Sequence, residues 1–307
     1  MKILISGASG LVGTHLIPTL REKGHEIHRL VRKAPQSADE IEWDAQKGFR
    51  PEEQAKLENF DAVVHLAGDN VASESWSAEK KRRIKESRTV GTRVLVEALG
   101  RCQTPPKTLV SASAIGFYGN RGDEILTEDS PPGEGFFPEV CSEWEAEAEK
   151  AAVFGARVAM PRIGVVLTKD GGALEKMLTP FKLGVGGTIG SGRQYMSWIA
   201  LADLIRIFHF ALEKDDLRGP VNATAPNPAT NEEFTNALGR ALNRPTILPV
   251  PEFAIKLMFG EMGRTLLLEG CRVVPRRLLD AGFEFAHADL EEALKSVLEE
   301  KPAEKDV

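Results

Sequence analysis

Lys2-Ile3-Leu4-Ile5-Ser6-Gly7-Ala8-Ser9-Gly10-Leu11-Val12-Gly13 opens the chain. A short apolar, β-rich run passes into three glycines at a spacing of three, and Leu11 to Lys23 then carries a helical pattern that Gly24 stops. Strand, glycine turn and helix in that order make an anion cradle. The turn lets backbone N–H groups approach a pyrophosphate, and the helix N-terminus adds unpaired donors and a partial positive charge. On this reading Gly7, Ser9, Gly10, Leu11, Val12 and Gly13 form the cradle, and Gly13 permits close packing of helix on strand. Glycine triplets also make plain turns. The position directly between a strand and a helix is what favours the dinucleotide reading.

Working outward, the first half alternates β-rich runs with helical patterns. Glu26 to Val31, Asp61 to Leu66 and Thr108 to Ser111 read as strands, and Ala156 to Val166 contains another. Ala78 to Leu99 and Cys141 to Val153 read as helices. This alternation predicts an α/β fold, a Rossmann-type doubly wound parallel sheet, over residues 1–170. After Thr168, loops rich in glycine, proline and asparagine separate helices such as Ala202 to Leu212 and Asn231 to Leu242. Residues 171–300 are read as a smaller C-terminal substrate-side lobe, with some segments returning to the main sheet. The charged end, 301–307, is expected to fray.

A formal net charge of -6 gives the chain no general attraction to phosphate polymers, so nucleic acid is not an expected partner. No apolar run approaches the roughly 18 residues of a membrane span, and no membrane association is expected. Cys102, Cys141 and Cys271 are far apart and odd in number, which argues against a disulfide framework and for a reducing, cytoplasmic location. His25 and His28 are the only histidines close in sequence. Three apart on a strand they face opposite sides, so no metal site is expected.

The end of the second strand selects the cofactor. NAD binders place a carboxylate there for the ribose 2′-hydroxyl. Here the position is Val31, followed by Arg32 and Lys33. A guanidinium can bind a 2′-phosphate in bidentate fashion where a carboxylate would repel it, so NADP is the expected cofactor. The competing reading of Arg32 is a solvated surface charge. In Asp61-Ala62-Val63-Val64-His65-Leu66-Ala67-Gly68, the small residues after Leu66 suit backbone passing close to the adenosine side of the cofactor, and His65 reads as a packed core residue.

Together these motifs resemble the extended short-chain dehydrogenase/reductase superfamily. The Gly7-x-x-Gly10-x-x-Gly13 loop and His65-Leu66-Ala67-Gly68 are similar to its first- and third-strand motifs, and Thr89-Val90-Gly91-Thr92 to its long-helix motif, with Arg88 in place of the usual asparagine. Ser111-Ala112-Ser113-Ala114-Ile115-Gly116-Phe117-Tyr118-Gly119 resembles the strand that carries the catalytic serine or threonine. The run from Val250-Pro251 through Gly260-Glu261-Met262 to Pro275-Arg276-Arg277-Leu278 and Ala281-Gly282-Phe283 resembles the ending of the bacterial epimerase family proteins (YfcH-type), atypical members with a C-terminal domain of unknown function. The resemblance implies cofactor contacts from Val31, Arg32, Lys33, Leu66, Ala67, Gly68, Arg88, Ser111 and Val166, and offers Ser113 and Cys141 as catalytic candidates.

Two departures bear on function. The superfamily's acid/base is a tyrosine with a lysine four residues on. Here Tyr118 is followed at that distance by Gly122, and Tyr195 by Ile199. Placing Cys141 at the tyrosine position puts Glu145 at the lysine position, where a carboxylate disfavours a thiolate; the plainer reading of Cys141 is a small buried helix residue. In addition, the arginine that binds the substrate pyrophosphate in sugar-nucleotide epimerases is replaced by Met196, with Arg193 nearby. The expectation is an NADP-dependent, epimerase/dehydratase-like oxidoreductase acting on an unknown small molecule; the alternative is a non-catalytic NADP(H)-binding sensor. A Ser-His-Asp hydrolase is excluded by the lack of a Gly-x-Ser-x-Gly elbow. The two long helices are where related proteins pair, so a homodimer is also an expectation.

Overall fold

The computed structural model describes residues 1–299, so the fraying expected of 301–307 lies outside the described residues. The chain divides into two compact units, both discontinuous in sequence: Met1–Phe117 with Phe136–Arg162 and Ile205–Val221, and Tyr118–Gly135 with Ile163–Leu204 and the chain from Asn222 onward.

The first unit is built on the strand–turn–helix that opens the chain. β1 (Lys2–Ser6) leads into α1 (Leu11–Glu22), and β2 (Glu26–Val31) lies parallel to β1 with Lys2 opposite Glu26. β3 (Glu40–Glu42) extends this edge. After the short helix α2 (Pro51–Gln54), β4 (Ala62–His65) pairs with the other side of β1. The long helix α3 (Ala78–Gly100) leads to β5 (Thr108–Ser111), and β6 (Ser113–Ala114) follows. Helix α4 (Phe136–Glu149) precedes the strand Arg157–Ile163. The sheet runs β3-β2-β1-β4-β5, then Arg157–Ile163 and Gly219–Ala223. Chain order reverses between β1 and β4, the point where ligands bind in open α/β sheets.

β1, β4 and β5 are buried almost throughout, as expected of strands covered on both faces. Leu4, Leu30, Val63, Leu95, Leu99, Leu109, Val158 and Met160 meet in one core cluster. Two elements differ from the sequence reading. β3 has only three residues, too few to show a period, although its alternation is visible in hindsight because Ile41 alone turns inward. Helix α4 begins at Phe136 rather than Cys141, because Pro138 sits in its first turn, where the missing N–H costs nothing. Cys141 and Glu145 therefore lie inside the helix, one turn apart.

The second unit has its own core, with Leu174, Phe181, Trp198, Phe234, Leu238 and Leu294 together. Its helices are α5 (Gly172–Lys182), the start of α6 (Leu201–Glu213), α7 (Asn231–Leu242), α8 (Glu252–Gly263), α9 (Arg276–Asp280) and α10 (Leu290–Glu299). The Thr230–Glu233 capping box fixes the start of α7. Among the described residues no helix is long and apolar enough to cross a membrane.

Candidate functional site

The glycine loop is shaped by its own sterics. Gly7 takes φ +71°, and a Cβ there would stand 2.7 Å from the carbonyl carbon of Leu66. A Cβ on Gly13 would approach Gly7 O to 2.5 Å. Gly10 differs: its backbone is extended, its N–H donates to Gly7 O at 3.0 Å, and a Cβ would meet only that oxygen, at 3.3 Å. Gly7 and Gly13 are thus required by the turn and by helix–strand packing, whereas Gly10 keeps its outer side clear. Gly10 is also the N-cap of α1, with no side-chain cap and no acidic residue in the first turn, so the leading N–H groups are left for an external acceptor.

At the end of β2, Val31 is half-buried while Arg32 and Lys33 are exposed. Neither cation makes an ion pair or side-chain hydrogen bond with the described residues, unlike Arg29, which is held by Asp39 and Glu40. At the end of β4, Leu66 and Ala67 are half-buried and Gly68 is exposed. Two of these N–H groups are held by Ser6, whose Oγ accepts from Leu66 N at 3.1 Å and Ala67 N at 3.3 Å and lies 2.6 Å from His65 Nδ1. His65 Nε2 reaches Thr92 Oγ1 at 2.9 Å. Fully buried, His65 has its pKa lowered to about 4, as expected of a neutral packed histidine.

Arg88, on α3, turns under this segment. Its Nη1 donates to the carbonyls of Asp69 and Ile84, both at 3.1 Å, its guanidinium lies over the Trp144 ring, and the group sits against Gly68. Ser111, at the end of β5, is fully buried, and its Oγ has no partner among the described residues. Such an orphaned buried hydroxyl is costly unless something binds it.

Ser113 and Cys141 come to the same place. Ser113 Oγ donates to Glu145 Oε1 at 2.6 Å. Arg162, near the end of the strand Arg157–Ile163, grips the same carboxylate with Nε at 2.8 Å from Oε1 and Nη2 at 2.7 Å from Oε2, and its guanidinium stacks on Phe117 at 3.4 Å. Both partners are buried. Cys141, one turn before Glu145, is buried near Gly116, and its thiol is pushed up to about 12 by burial and then by the Glu145 charge. It stays protonated at neutral pH and cannot serve as a general base.

The remaining positions lie in the second unit. Val166 is half-buried in a short strand, opposite Ile199. Met196 is half-buried with its sulfur 3.5 Å from Asn231 Nδ2, and Arg193 is exposed. Tyr118 is fully buried, and its hydroxyl donates toward Asn222 Oδ1 at 2.7 Å and Thr127 O at 3.0 Å. The Tyr195 ring faces the Arg272 guanidinium. Sequence reading missed Arg162 and gave Glu145 only a negative role. The available signal was a charge within the apolar run Arg157-Val158-Ala159-Met160-Pro161-Arg162-Ile163, since a buried arginine requires a buried partner.

A family model described as the NAD dependent epimerase/dehydratase family matches residues 3–223, and one described as a domain of unknown function (DUF1731) matches residues 250–297. An epimerase family protein of Mycobacterium bovis is 44% identical over 293 residues, covering 95% of this chain and 96% of its own. A chloroplastic homolog of epimerase family protein SDR39U1 from Arabidopsis thaliana is 39% identical, covering 97% of this chain and 87% of its own. The crystal structure of human epimerase family protein SDR39U1 with NADPH superposes with a TM-score of 0.88 at 35% identity, covering 98% of this chain and 100% of that one. The grouping is therefore wider than the bacterial, YfcH-type one that the C-terminal motifs suggested. The chain belongs to the NAD dependent epimerase/dehydratase family, in its branch of epimerase family proteins that end in the domain of unknown function.

Proposed function

We propose that the protein is an NADP-dependent oxidoreductase of a small carbonyl or alcohol substrate in which Ser113, Glu145 and Arg162 stand in for the family's serine–tyrosine–lysine set. The observation that carries this reading is the 2.6 Å bond from Ser113 Oγ to a carboxylate that Arg162 holds on both oxygens. The first unit fits the cofactor: the uncapped start of α1, the open side of Gly10, the unpaired Arg32 and Lys33 and the orphaned Ser111 hydroxyl are what a dinucleotide with a 2′-phosphate would engage. NADP, when bound, supplies the hydride chemistry. The chain's own residues need to manage one proton. Ser113 Oγ is positioned to accept a proton from a substrate hydroxyl while passing its own to Glu145 Oε1, and to return it in the reverse direction. Arg162 acts as a positioning residue that fixes the carboxylate. Met196 lacks a charge for a substrate pyrophosphate, which supports a substrate without one.

Turnover of NADPH with a panel of aldehydes and ketones tests the reading. Ser113→Ala and Glu145→Gln should keep NADPH affinity while lowering kcat by about 10²–10⁴-fold, the usual worth of acid–base help. Gly10→Val should remove NADPH binding. Unchanged turnover in both acid–base variants would overturn the proton path. The second reading, a nucleotide sensor without turnover, is favoured by the engagement of both tyrosines elsewhere. Tight NADPH binding with no turnover on any substrate would select it. The three buried free thiols suit a reducing compartment such as the cytoplasm.

A further inference from the structure

The geometry points to a divalent transition-metal site, suited to Zn²⁺, formed by His25, His209 and Glu213 in the first unit. His25 immediately precedes β2, and His209 and Glu213 lie one turn apart on α6. His25 Nε2 is 3.4 Å from His209 Nε2, and His209 Nε2 is 3.2 Å from Glu213 Oε1. One ligand atom from each residue lies within 4.8 Å of the others. Tetrahedral Zn²⁺ with bonds of about 2.0–2.1 Å separates its ligand atoms by about 3.3 Å, which the two spacings to His209 match, and the exposed Glu213 side chain can close the third.

Hydrogen bonding alone leaves this cluster frustrated. His209 Nε2 faces both His25 Nε2 and Glu213 Oε1 but carries at most one proton. The chain's amino group lies 3.3 Å from His25 Nδ1. If that amine donates, neutral His25 carries its proton on Nε2 and donates to His209, which leaves no proton on His209 Nε2 for the carboxylate. Protonating both rings would set two N–H groups against each other. Glu213 is exposed on the open side of the cluster. A metal cation would take the Nε2 lone pairs of both rings and one carboxylate oxygen, with His25 then carrying its proton on Nδ1 and the facing amine releasing one to solvent, and solvent can supply the fourth ligand.

The site is not part of the proton machinery. β1 and β2 run parallel, so His25 lies at the amino-terminal edge of the sheet and the glycine loop at the opposite edge, roughly 15 Å away along a strand of this length. The role assigned to the ion is a clip between the start of β2 and α6, segments 184 residues apart in sequence. Sequence spacing provides His25 with no ligand neighbour; the fold does.

The test uses tag-free full-length protein freed of metal by chelator, titrated with ZnCl₂ in competition with a chromophoric chelator, and separately with Co²⁺ for the visible absorption of a tetrahedral complex. One-to-one Zn²⁺ binding, a raised thermal midpoint and a tetrahedral Co²⁺ spectrum are expected. His209→Ala should weaken Zn²⁺ by about 100-fold, two powers of ten in Kd. Glu213→Gln, at an exposed position that tolerates change, should weaken it by about tenfold with the fold intact. Absence of saturable binding, or equal binding by the wild type and a His25→Ala/His209→Ala variant, overturns the proposal. NADPH affinity should be the same with and without Zn²⁺, so failure here is separable from failure of the nucleotide reading.

Discussion

Ser113 and Glu145, 32 residues apart in sequence, share a 2.6 Å hydrogen bond in which the serine donates, and Arg162 closes the other side of the same carboxylate. Glu145 lies on α4 and Arg162 on the strand Arg157–Ile163, so a carboxylate and a guanidinium from different elements neutralise each other in the buried interior. Removing one member takes the opposite charge away from a buried partner. Arg162→Met is expected to cost about 3–5 kcal/mol of stability, and Glu145→Leu combined with Arg162→Met to recover much of it. Urea unfolding with an unchanged m-value checks both; additive losses in the double variant would show that the two residues are not coupled.

Transplanting the family's acid/base should fail for the same reason. In the Cys141→Tyr/Glu145→Lys variant an ammonium would face Arg162, and the new ring would press on Gly116 and Phe137, which already crowd that face. Loss of the cooperative thermal transition is expected. A well-folded variant with new reductase activity would show that the buried pair is dispensable.

The proposed preference for NADP rests on Arg32. An unpaired exposed guanidinium at the end of β2 is free to take a phosphate. Arg32→Ala should weaken NADPH by roughly ten- to a hundredfold, the equivalent of about 1.5–3 kcal/mol for a charge-assisted bond, and leave NADH nearly unchanged. Calorimetric titration of both nucleotides measures this, and equal wild-type affinities for the two would refute the assignment.

His65 links stability to pH. Its pKa is lowered to about 4 by burial, below the ordinary value of 6.5. Between those values the unfolded chain binds more protons than the folded one, so stability is full above pH 6.5 and falls as the pH drops toward 4, by up to about 1.4 kcal/mol per unit. His25 and His209, also lowered by burial, act in the same direction. Denaturant midpoints from pH 7.5 to 4.5 should show this slope in the wild type and a shallower one in His65→Asn. An equal slope in the two would place the linkage elsewhere.

Much of the architecture was legible in sequence because its signals are local. A strand, three glycines and a helix are adjacent in the chain, and the steric demands on Gly7 and Gly13 act within a few residues or on the neighbouring strand. The limits of β1 and β5 follow from apolar runs bounded by turn residues. The glycine loop and the cationic end of β2 are each contiguous in the chain and could be read from spacing. What spacing could not supply is which distant side chains share a buried charge. Glu145 read as a liability until the fold set Arg162 and Ser113 on either side of it, and His25 read as solitary until α6 returned His209 and Glu213 beside it. Buried polar groups are satisfied by whatever the packing brings near, and that neighbourhood is a property of the sheet order rather than of any segment.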